Sequence, residues 1–417
     1  MNAMTRTGQK FSDRYRSVGR ETMVAALVLE GYACEENRET AWADAGAALD
    51  RLVATGLPYR KGESGALFDP VELVCHAKAL GRQGLDDFWE RRFVATLRRF
   101  VSDLAAERPE RCAVTYRRTY NLADIASGAS LRLRMPLPLA DRYAAMEVVP
   151  ELPDTAQGHR LSDGRLEARA ADCGGNQIAI GARVTLDLAP GQAPPPPEGD
   201  LLLRPSEGLI AVTPQVAALA RRLAGDETPD RAVRAFWDYL IDQFTFCPVH
   251  YDQLPVEAAT DWVLATGLYD CRLAAALFVS LCRARGIPAR MLGGNFLYRP
   301  SPTNHYWAEV WLDHSGWTPF DFLAWDLSLG GRDSSWRDQY FGRLEPRLVS
   351  ECLPGQFTGA VGAPVPEAWH VVRTISGAGV DIDLVGVDGR QVYRDHVEIN
   401  EKADRITPNA SIQSGTG

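Results

Sequence analysis

Residues 269–290 read YDCRLAAALFVSLCRARGIPAR, and their pattern predicts one amphipathic helix with clear ends. Their apolar side chains recur at intervals of three and four, the spacing of a helix face that packs on a core. Gly286 and Pro288 end the helix, and Asp270 is a favourable N-cap residue. Cys271 is therefore expected in the first turn. There the positive end of the helix dipole lowers the pKa of the thiol, although a charged Asp270 opposes this.

The next patterned segment, NHYWAEVWLDHSGWTPFDF (304–322), predicts a β-hairpin. His305, Trp307 and Glu309 alternate with other residues at a period of two, so they share one face of a strand. A second strand follows the turn and carries Asp321. Cysteine, histidine and a carboxylate are the set that thiol nucleophiles use. A base takes the thiol proton, and a carboxylate orients the imidazole.

The hairpin places one geometric demand on this triad. A register in which Leu312 faces Trp317 puts Asp321 on the sheet face opposite to His305. A shift by one residue moves Asp321 to the His305 face, opposite Trp307 or Glu309. The triad hypothesis therefore predicts the shifted register, or a bulge with the same effect.

These segments resemble the transglutaminase-like superfamily, a papain-like group of cysteine enzymes. The resemblance rests on three motifs in order: Cys271 opening an apolar helix that ends in R-x-x-GIPAR at 283–290, H-x-W-x-E-V from His305, and G-W-x-x-x-D ending at Asp321. It implies an α+β fold, in which a helix bearing Cys packs on an antiparallel sheet bearing His and Asp. One departure is Tyr269, where many members have glycine; its bulk could narrow the donor site.

The resemblance also implies acyl transfer through a thioester. Cys271 would attack an amide or thioester carbonyl, His305 would take and return the proton, and Asp321 would orient His305. The backbone N–H of Cys271 would contribute to the oxyanion hole together with an upstream side chain.

Several side chains are candidates for the remaining roles in such a site. The candidates for the oxyanion side chain are Gln243, Tyr251 and Trp237. The residues expected to line the substrate cleft are Tyr269, Trp307 and Glu309.

For four residues in or near the motifs, the sequence suggests an alternative role or a role outside catalysis. Glu309 is either a site-lining acid or the ion-pair partner of an arginine, and the ion pair is favoured. The candidate arginines are Arg283, Arg285 and Arg290. Asp326 is an alternative to Asp321. Cys282 is predicted to be a core thiol on the same helix face as Cys271, and His250 a loop residue with a surface or hydrogen-bonding role.

The spacing of apolar residues changes several times along the chain, which predicts separate regions. These are a helical region at 1–110, an antiparallel β domain at 111–192, the catalytic core at 200–345, and a C-terminal β extension with a frayed tail at 346–417. Helices in the first region are predicted at 21–32, 70–80 and 86–107. Four consecutive prolines at 194–197 predict a stiff linker before the core. The β domain resembles the N-terminal β-rich domain often found before bacterial members.

Composition narrows the classes of partner. The 417 residues include 45 Lys+Arg and 54 Asp+Glu, and this acidic balance disfavours nucleic acid. No apolar run approaches the roughly 20 residues of a membrane span, so no membrane contact is expected. No metal-ligand spacing or phosphate-binding motif occurs, and no metal or other cofactor is expected. Eight scattered cysteines and an N-terminus without an apolar stretch predict reduced thiols in the cytoplasm.

The sequence therefore predicts a cysteine acyltransferase that forms or exchanges an amide. The donor would be a small, peptide or carrier-bound acyl group and the acceptor an amine, because Tyr269 and a tryptophan-rich hairpin favour a site that excludes water. The first alternative is a peptide or amide hydrolase that uses water as the acceptor. The second is a binding module without activity.

Overall fold

The structure is a computed structural model of the full chain. It describes residues 18–29, 38–86, 111–122, 130–162, 164–171, 176–190, 195–196, 200–249, 254–255, 258–297, 304–323, 335–344, 347–352 and 393–400. Helices and antiparallel sheets are both present, as the α+β prediction requires. Two compact units are distinguished, one formed by the N-terminal helices and one by the sheets and helices after them.

The described part of the N-terminal unit contains three helices and a short hairpin. The helices are α1 (Arg20–Leu29), α2 (Arg38–Ala54) and α3 (Pro70–Arg82), and the hairpin pairs β1 (Arg60–Gly62) with β2 (Gly65–Leu67). The predicted start of α3 is confirmed, since the Asp69 side chain accepts a hydrogen bond from the Val71 N–H at 2.9 Å. Helix α2 was not predicted, and the helix predicted at 86–107 lies outside the described residues.

The next region forms two antiparallel sheets, which we call the β region. Its strands are β3 (Arg111–Asn121), β4 (Ser130–Pro136), β5 (Tyr143–Glu151), β6 (Ala156–Ser162), β7 (Arg165–Ala171) and β8 (Gln177–Pro190). One sheet has the order β4-β7-β6, and in the other β8 lies between β3 and β5. Alternate residues of these strands point inward and fill a common apolar core. Strands β5 and β6 were not predicted.

The last region has short strands and helices around a further, four-stranded sheet. Its first elements are β9 (Ser206–Glu207), β10 (Ile210–Ala211), α4 (Pro214–Ala224), α5 (Pro229–Gln243), β11 (Thr245–Phe246), α6 (Ala259–Thr266) and β12 (Leu268–Tyr269). These are followed by α7 (Cys271–Ala284), β13 (Ala289–Phe296), β14 (Asn304–Leu312), β15 (Gly316–Phe320), α8 (Ser335–Gln339), β16 (Arg347–Cys352) and β17 (Tyr393–Asn400). Helix α7 packs on β14 and is buried along most of its length.

The interval 346–417 was predicted as one extension, and its two described strands belong to different sheets. Strand β16 pairs with β13 and completes the sheet β15-β14-β13-β16, which we call the catalytic sheet. Strand β17 pairs with β3 and extends a sheet of the β region. The rest of the predicted β extension after residue 352, with its tail, lies outside the described residues, as does most of the proline linker. Within the described residues, no helix is long and apolar enough to cross a membrane.

The β14–β15 hairpin has the register that the triad requires. Leu312 pairs with Gly316, and Ala308 pairs with Phe320. The next residue, Asp321, therefore follows on opposite Trp307 and lies on the same sheet face as His305. The shifted register is thus confirmed.

Candidate active site

Cys271 is the first residue of α7, at the end that faces β14. Asp270 caps the helix, and its Oδ1 accepts hydrogen bonds from the N–H groups of Arg272 and Leu273, both at 3.0 Å. The Cys271 side chain is half-buried, and its sulfur is hydrogen-bonded by the backbone N–H of Tyr306. The thiol therefore lies against the strand residue that directly follows His305.

The thiol of Cys271 is not acidified by its position, and the prediction of a lowered pKa was wrong. Burial, with a further contribution from the nearby Asp270 carboxylate, raises the pKa of Cys271 to about 12. The Arg272 charge and the Tyr306 N–H act in the opposite direction but are outweighed. The resting thiol is therefore protonated at neutral pH, and nucleophilic attack requires a base that removes its proton.

His305 supplies an imidazole whose orientation is fixed. Its Nε2 lies 3.0 Å from Oδ1 and 2.9 Å from Oδ2 of Asp321, and its ring stacks on Phe296 with centroids 4.4 Å apart. Because an ionised carboxylate only accepts hydrogen bonds, the proton of the neutral ring is on Nε2. The lone pair is then on Nδ1, the nitrogen that must act if His305 is a base.

Asp321 is buried and remains ionised. Its Oδ1 also accepts the Leu323 N–H at 2.9 Å, and Nη1 of Arg347 lies 2.5 Å from Oδ2. Burial favours the neutral acid, but Arg347 and His305 outweigh it and hold the pKa of Asp321 well below its usual range. Asp321 can therefore orient His305 and stabilise its charged form.

Arg347 was not predicted as part of this site. It enters from β16 with its side chain 3% exposed, and its guanidinium lies 4.6 Å from the centre of the Phe296 ring. Neither its sequence neighbourhood nor a motif indicates it, because only the pairing of β16 with β13 brings it to the site.

The three side chains predicted as candidates for the oxyanion hole lie in different surroundings or outside the described residues. Trp237 is fully buried and donates its indole N–H to the Arg337 carbonyl at 3.2 Å, so that prediction was wrong. Gln243 is exposed at the end of α5, and Tyr251 lies outside the described residues. The backbone N–H of Cys271 is still a suitable donor, since the Asp270 side chain takes the next two amides of the turn.

Two of the predicted lining residues belong to the core instead. Tyr269 is 1% exposed, donates its hydroxyl hydrogen to the Leu240 carbonyl at 3.2 Å and stacks on Phe244. Trp307 is 2% exposed and packs against Leu139 and other apolar residues. These side chains therefore pack in the core and do not line the substrate cleft.

Glu309, the third predicted lining residue, is the centre of a buried ion-pair cluster. Its carboxylate accepts a hydrogen bond from Nε of Arg290 at 2.9 Å, which confirms the favoured interpretation. It also accepts bonds from Nη1 of Arg142 at 3.0 and 3.1 Å. Cys282 is fully buried, as predicted, whereas Asp326 and His250 lie outside the described residues.

We expect Glu309→Gln to lower the free energy of unfolding by about 2 kcal/mol, because two buried guanidinium groups lose their carboxylate partner. Denaturant unfolding measures this effect. The matched control is Glu151→Gln, since the ion-pair partners of Glu151 among the described residues, Arg117 and Arg183, are more than half exposed. The control should change stability by less than about 1 kcal/mol. Equal effects of the two changes would show that the Glu309 cluster is not important for stability.

Comparison with known proteins identifies the part of the chain that holds this site. Residues 217–322 match the family model of the transglutaminase-like superfamily. This segment is transglutaminase-like. It contains Cys271, His305 and Asp321, and the resemblance inferred from the motifs is confirmed. The transglutaminase-like segment therefore has a fold used for cysteine-based catalysis. No curated protein matches the sequence.

Solved structures show more distant likenesses. A proposed cysteine protease from Cytophaga hutchinsonii is 15% identical, with a TM-score of 0.43 over 72% of this chain and 92% of the other. The periplasmic domain of TgpA from Pseudomonas aeruginosa is 17% identical, with a TM-score of 0.30 over 56% and 94%. At these scores the likenesses carry no inference about the reaction of the transglutaminase-like segment.

Proposed function

We propose that the chain is a cysteine acyltransferase in which Cys271 forms a thioester with the acyl donor and an amine receives the acyl group. The donor is a small, peptide or carrier-bound amide or thioester. The observation that carries this proposal is the His305–Asp321 pair, held by contacts of 2.9 and 3.0 Å on the strand whose next residue, Tyr306, bonds the Cys271 thiol.

The first step follows from the tautomer of His305. Nδ1 takes the proton of the thiol while the sulfur attacks the carbonyl carbon, and the carbonyl oxygen becomes an oxyanion. The backbone N–H of Cys271 donates to this oxyanion, a contact that typically contributes ~10²–10³ in rate. The intermediate then collapses, His305 gives its proton to the leaving group, and the thioester remains on Cys271.

The second step uses the same groups in reverse order. An amine attacks the thioester carbon, and Nδ1 of His305 takes a proton from its nitrogen. Collapse of the second intermediate releases the new amide, and the proton returns to the sulfur of Cys271. Asp321 stays ionised throughout and stabilises the imidazolium that forms in each step.

Hydrolysis is the second candidate function, and one observation favours it. Tyr269 and Trp307 were the reason to expect a site that excludes water, yet both are buried in the core and tied to other residues. Water is therefore a competing acceptor for the same thioester, and the choice between the two reactions depends on the acceptor that binds.

The nucleophile is tested by alkylation of the intact chain with iodoacetamide and mass spectrometry of the peptides. Cys271 should react ahead of the buried thiols, because it is the half-exposed one among the described cysteines. His305→Ala should slow its reaction, because the thiol then lacks its base. Equally slow reaction of all cysteines, unchanged by His305→Ala, would favour a binding module without activity.

The acceptor is tested with p-nitrophenyl acetate as donor, in the presence and absence of methylamine. We expect an acetylated Cys271 in the mass spectrum and N-methylacetamide as a product that depends on the enzyme. If acetate is the only product at every amine concentration, the transferase proposal fails and the hydrolase remains. Without an acetylated Cys271, both fail.

A further inference from the structure

We propose that Arg347 is a positioning residue that acts through Asp321, keeping this carboxylate ionised and limiting how tightly the His305–Asp321 pair binds a second proton. This inference rests on the proposed function and adds to it a residue from outside the segment that matches the family model. It stands on the contact between Arg347 and Asp321 and on the stacking of Arg347 beside His305.

The first support is the geometry of the ion pair. Nη1 of Arg347 lies 2.5 Å from Oδ2 of Asp321, the oxygen that His305 approaches at 2.9 Å, and the two charged side chains are 3% and 1% exposed. Because both side chains are buried, water screens their charges weakly. The positive charge of Arg347 therefore has a strong electrostatic effect on Asp321 and on His305, which Asp321 contacts. Arg347 is thus placed to influence His305 without touching the reacting atoms.

The second support is the packing of aromatic rings between Arg347 and His305. The guanidinium carbon lies 4.6 Å from the centre of the Phe296 ring and 5.0 Å from that of Trp307. The His305 ring lies nearly parallel to both, at 22° to Phe296 and 18° to Trp307. The same two rings therefore contact the cation and hold the imidazole, which fixes the relative positions of both groups.

The net charge of the cluster gives the direction of the effect. With His305 in its neutral form, the charges of His305, the ionised Asp321 and the cationic Arg347 sum to zero. When His305 takes the thiol proton, the cluster becomes positive. Without Arg347 the same change would neutralise a buried negative charge, so the pair would hold its proton more tightly. Arg347 therefore keeps His305 available as a base at a lower pH.

The other charged groups near the pair do not replace Arg347. From α7 come the Cys271 thiol, Asp270 beside it and Arg272, whose guanidinium lies over the Tyr306 ring at 4.8 Å. Glu351 of β16 lies against Gly293, which pairs with Tyr306 on the other face of the sheet. Glu309 shares the face of His305, and its charge is balanced by Arg290 and Arg142.

The test is the pH dependence of Cys271 alkylation by iodoacetamide in the intact chain, read by mass spectrometry. In the wild type the rate should fall below a midpoint set by the His305–Asp321 pair. In Arg347→Met this midpoint should rise by about 1 pH unit or more, the size of effect expected from a close charge. Arg347→Lys keeps the charge, and its midpoint should stay near that of the wild type.

The matched control is Arg290→Met, which removes another buried arginine of the catalytic sheet from a carboxylate that does not contact His305. Its midpoint should not move, whatever the change in stability. An unchanged midpoint in Arg347→Met, with His305→Ala still slowing alkylation, overturns the role of Arg347 and leaves the proposed function intact. If His305→Ala has no effect, the proposed function itself fails. Should Arg347→Met not fold, an Arg347→Lys midpoint at least 1 unit above that of the wild type would overturn the proposal.

Discussion

Replacing Cys271 by alanine is expected to reduce turnover of p-nitrophenyl acetate by about 10⁴-fold or more and to leave the fold intact. Removing the nucleophile of a triad removes the covalent route, so only binding and oxyanion contacts still act. The thiol is at the first residue of α7, where its hydrogen-bond donor is a backbone amide, and alanine is a good helix former at this position. Initial rates and thermal unfolding of the same preparation measure both expectations.

Cys282→Ala is the matched control, because this thiol is fully buried on the same helix. The change should cost about 1 kcal/mol of stability through the small cavity it leaves, and turnover should persist. If Cys271→Ala keeps more than about a tenth of the wild-type rate, Cys271 is not the nucleophile and the proposed function is excluded.

Gly294→Ala is expected to lower the free energy of unfolding by more than about 3 kcal/mol, beyond the usual cost of overpacking. A Cβ at Gly294 would overlap the Leu348 carbonyl oxygen, which belongs to the backbone of β16 and cannot rotate away. The pairing of β13 with β16 must then open next to Arg347. Denaturant unfolding measures the stability, and alkylation of Cys271 reports whether the site is disturbed as well.

Gly158→Ala separates this effect from the general effect of adding a methyl group to a glycine in a strand. Gly158 lies in β6, and a Cβ there meets nothing within 4 Å. The control should change stability by less than about 1 kcal/mol, with a gain favoured because alanine restricts the unfolded chain. A Gly294→Ala protein as stable as this control would show that β16 can move away at little cost.

The parts of the site that were predicted from sequence are those with local signals. Asp270, Gly286 and the apolar spacing define α7, and the alternation around His305 defines β14. The position of Asp321 followed because a two-strand hairpin has few registers, and only one of them suits a triad.

The errors arise where the outcome depends on packing between distant segments. Arg347 reaches the site only through pairing of β16 with β13, and no feature of its own neighbourhood predicts this pairing. Trp237 and Tyr269 were assigned to the site by residue type and proximity in sequence, whereas neighbouring elements bury them. The pKa of Cys271 was predicted from the helix dipole, opposed by the Asp270 charge, and burial, which sequence does not reveal, acts more strongly.

The strand that carries Arg347 is held by residues of the β region. The Tyr143 hydroxyl donates to the Arg347 carbonyl at 3.0 Å and accepts the Val349 N–H at 2.7 Å, while the Leu139 N–H donates to the Val349 carbonyl at 2.7 Å. Exchanging the β region for that of another protein at the proline linker would therefore remove the residues that hold this strand. A chimaera that keeps the triad but receives the β region of another protein needs a tyrosine at the position of Tyr143 to hold β16.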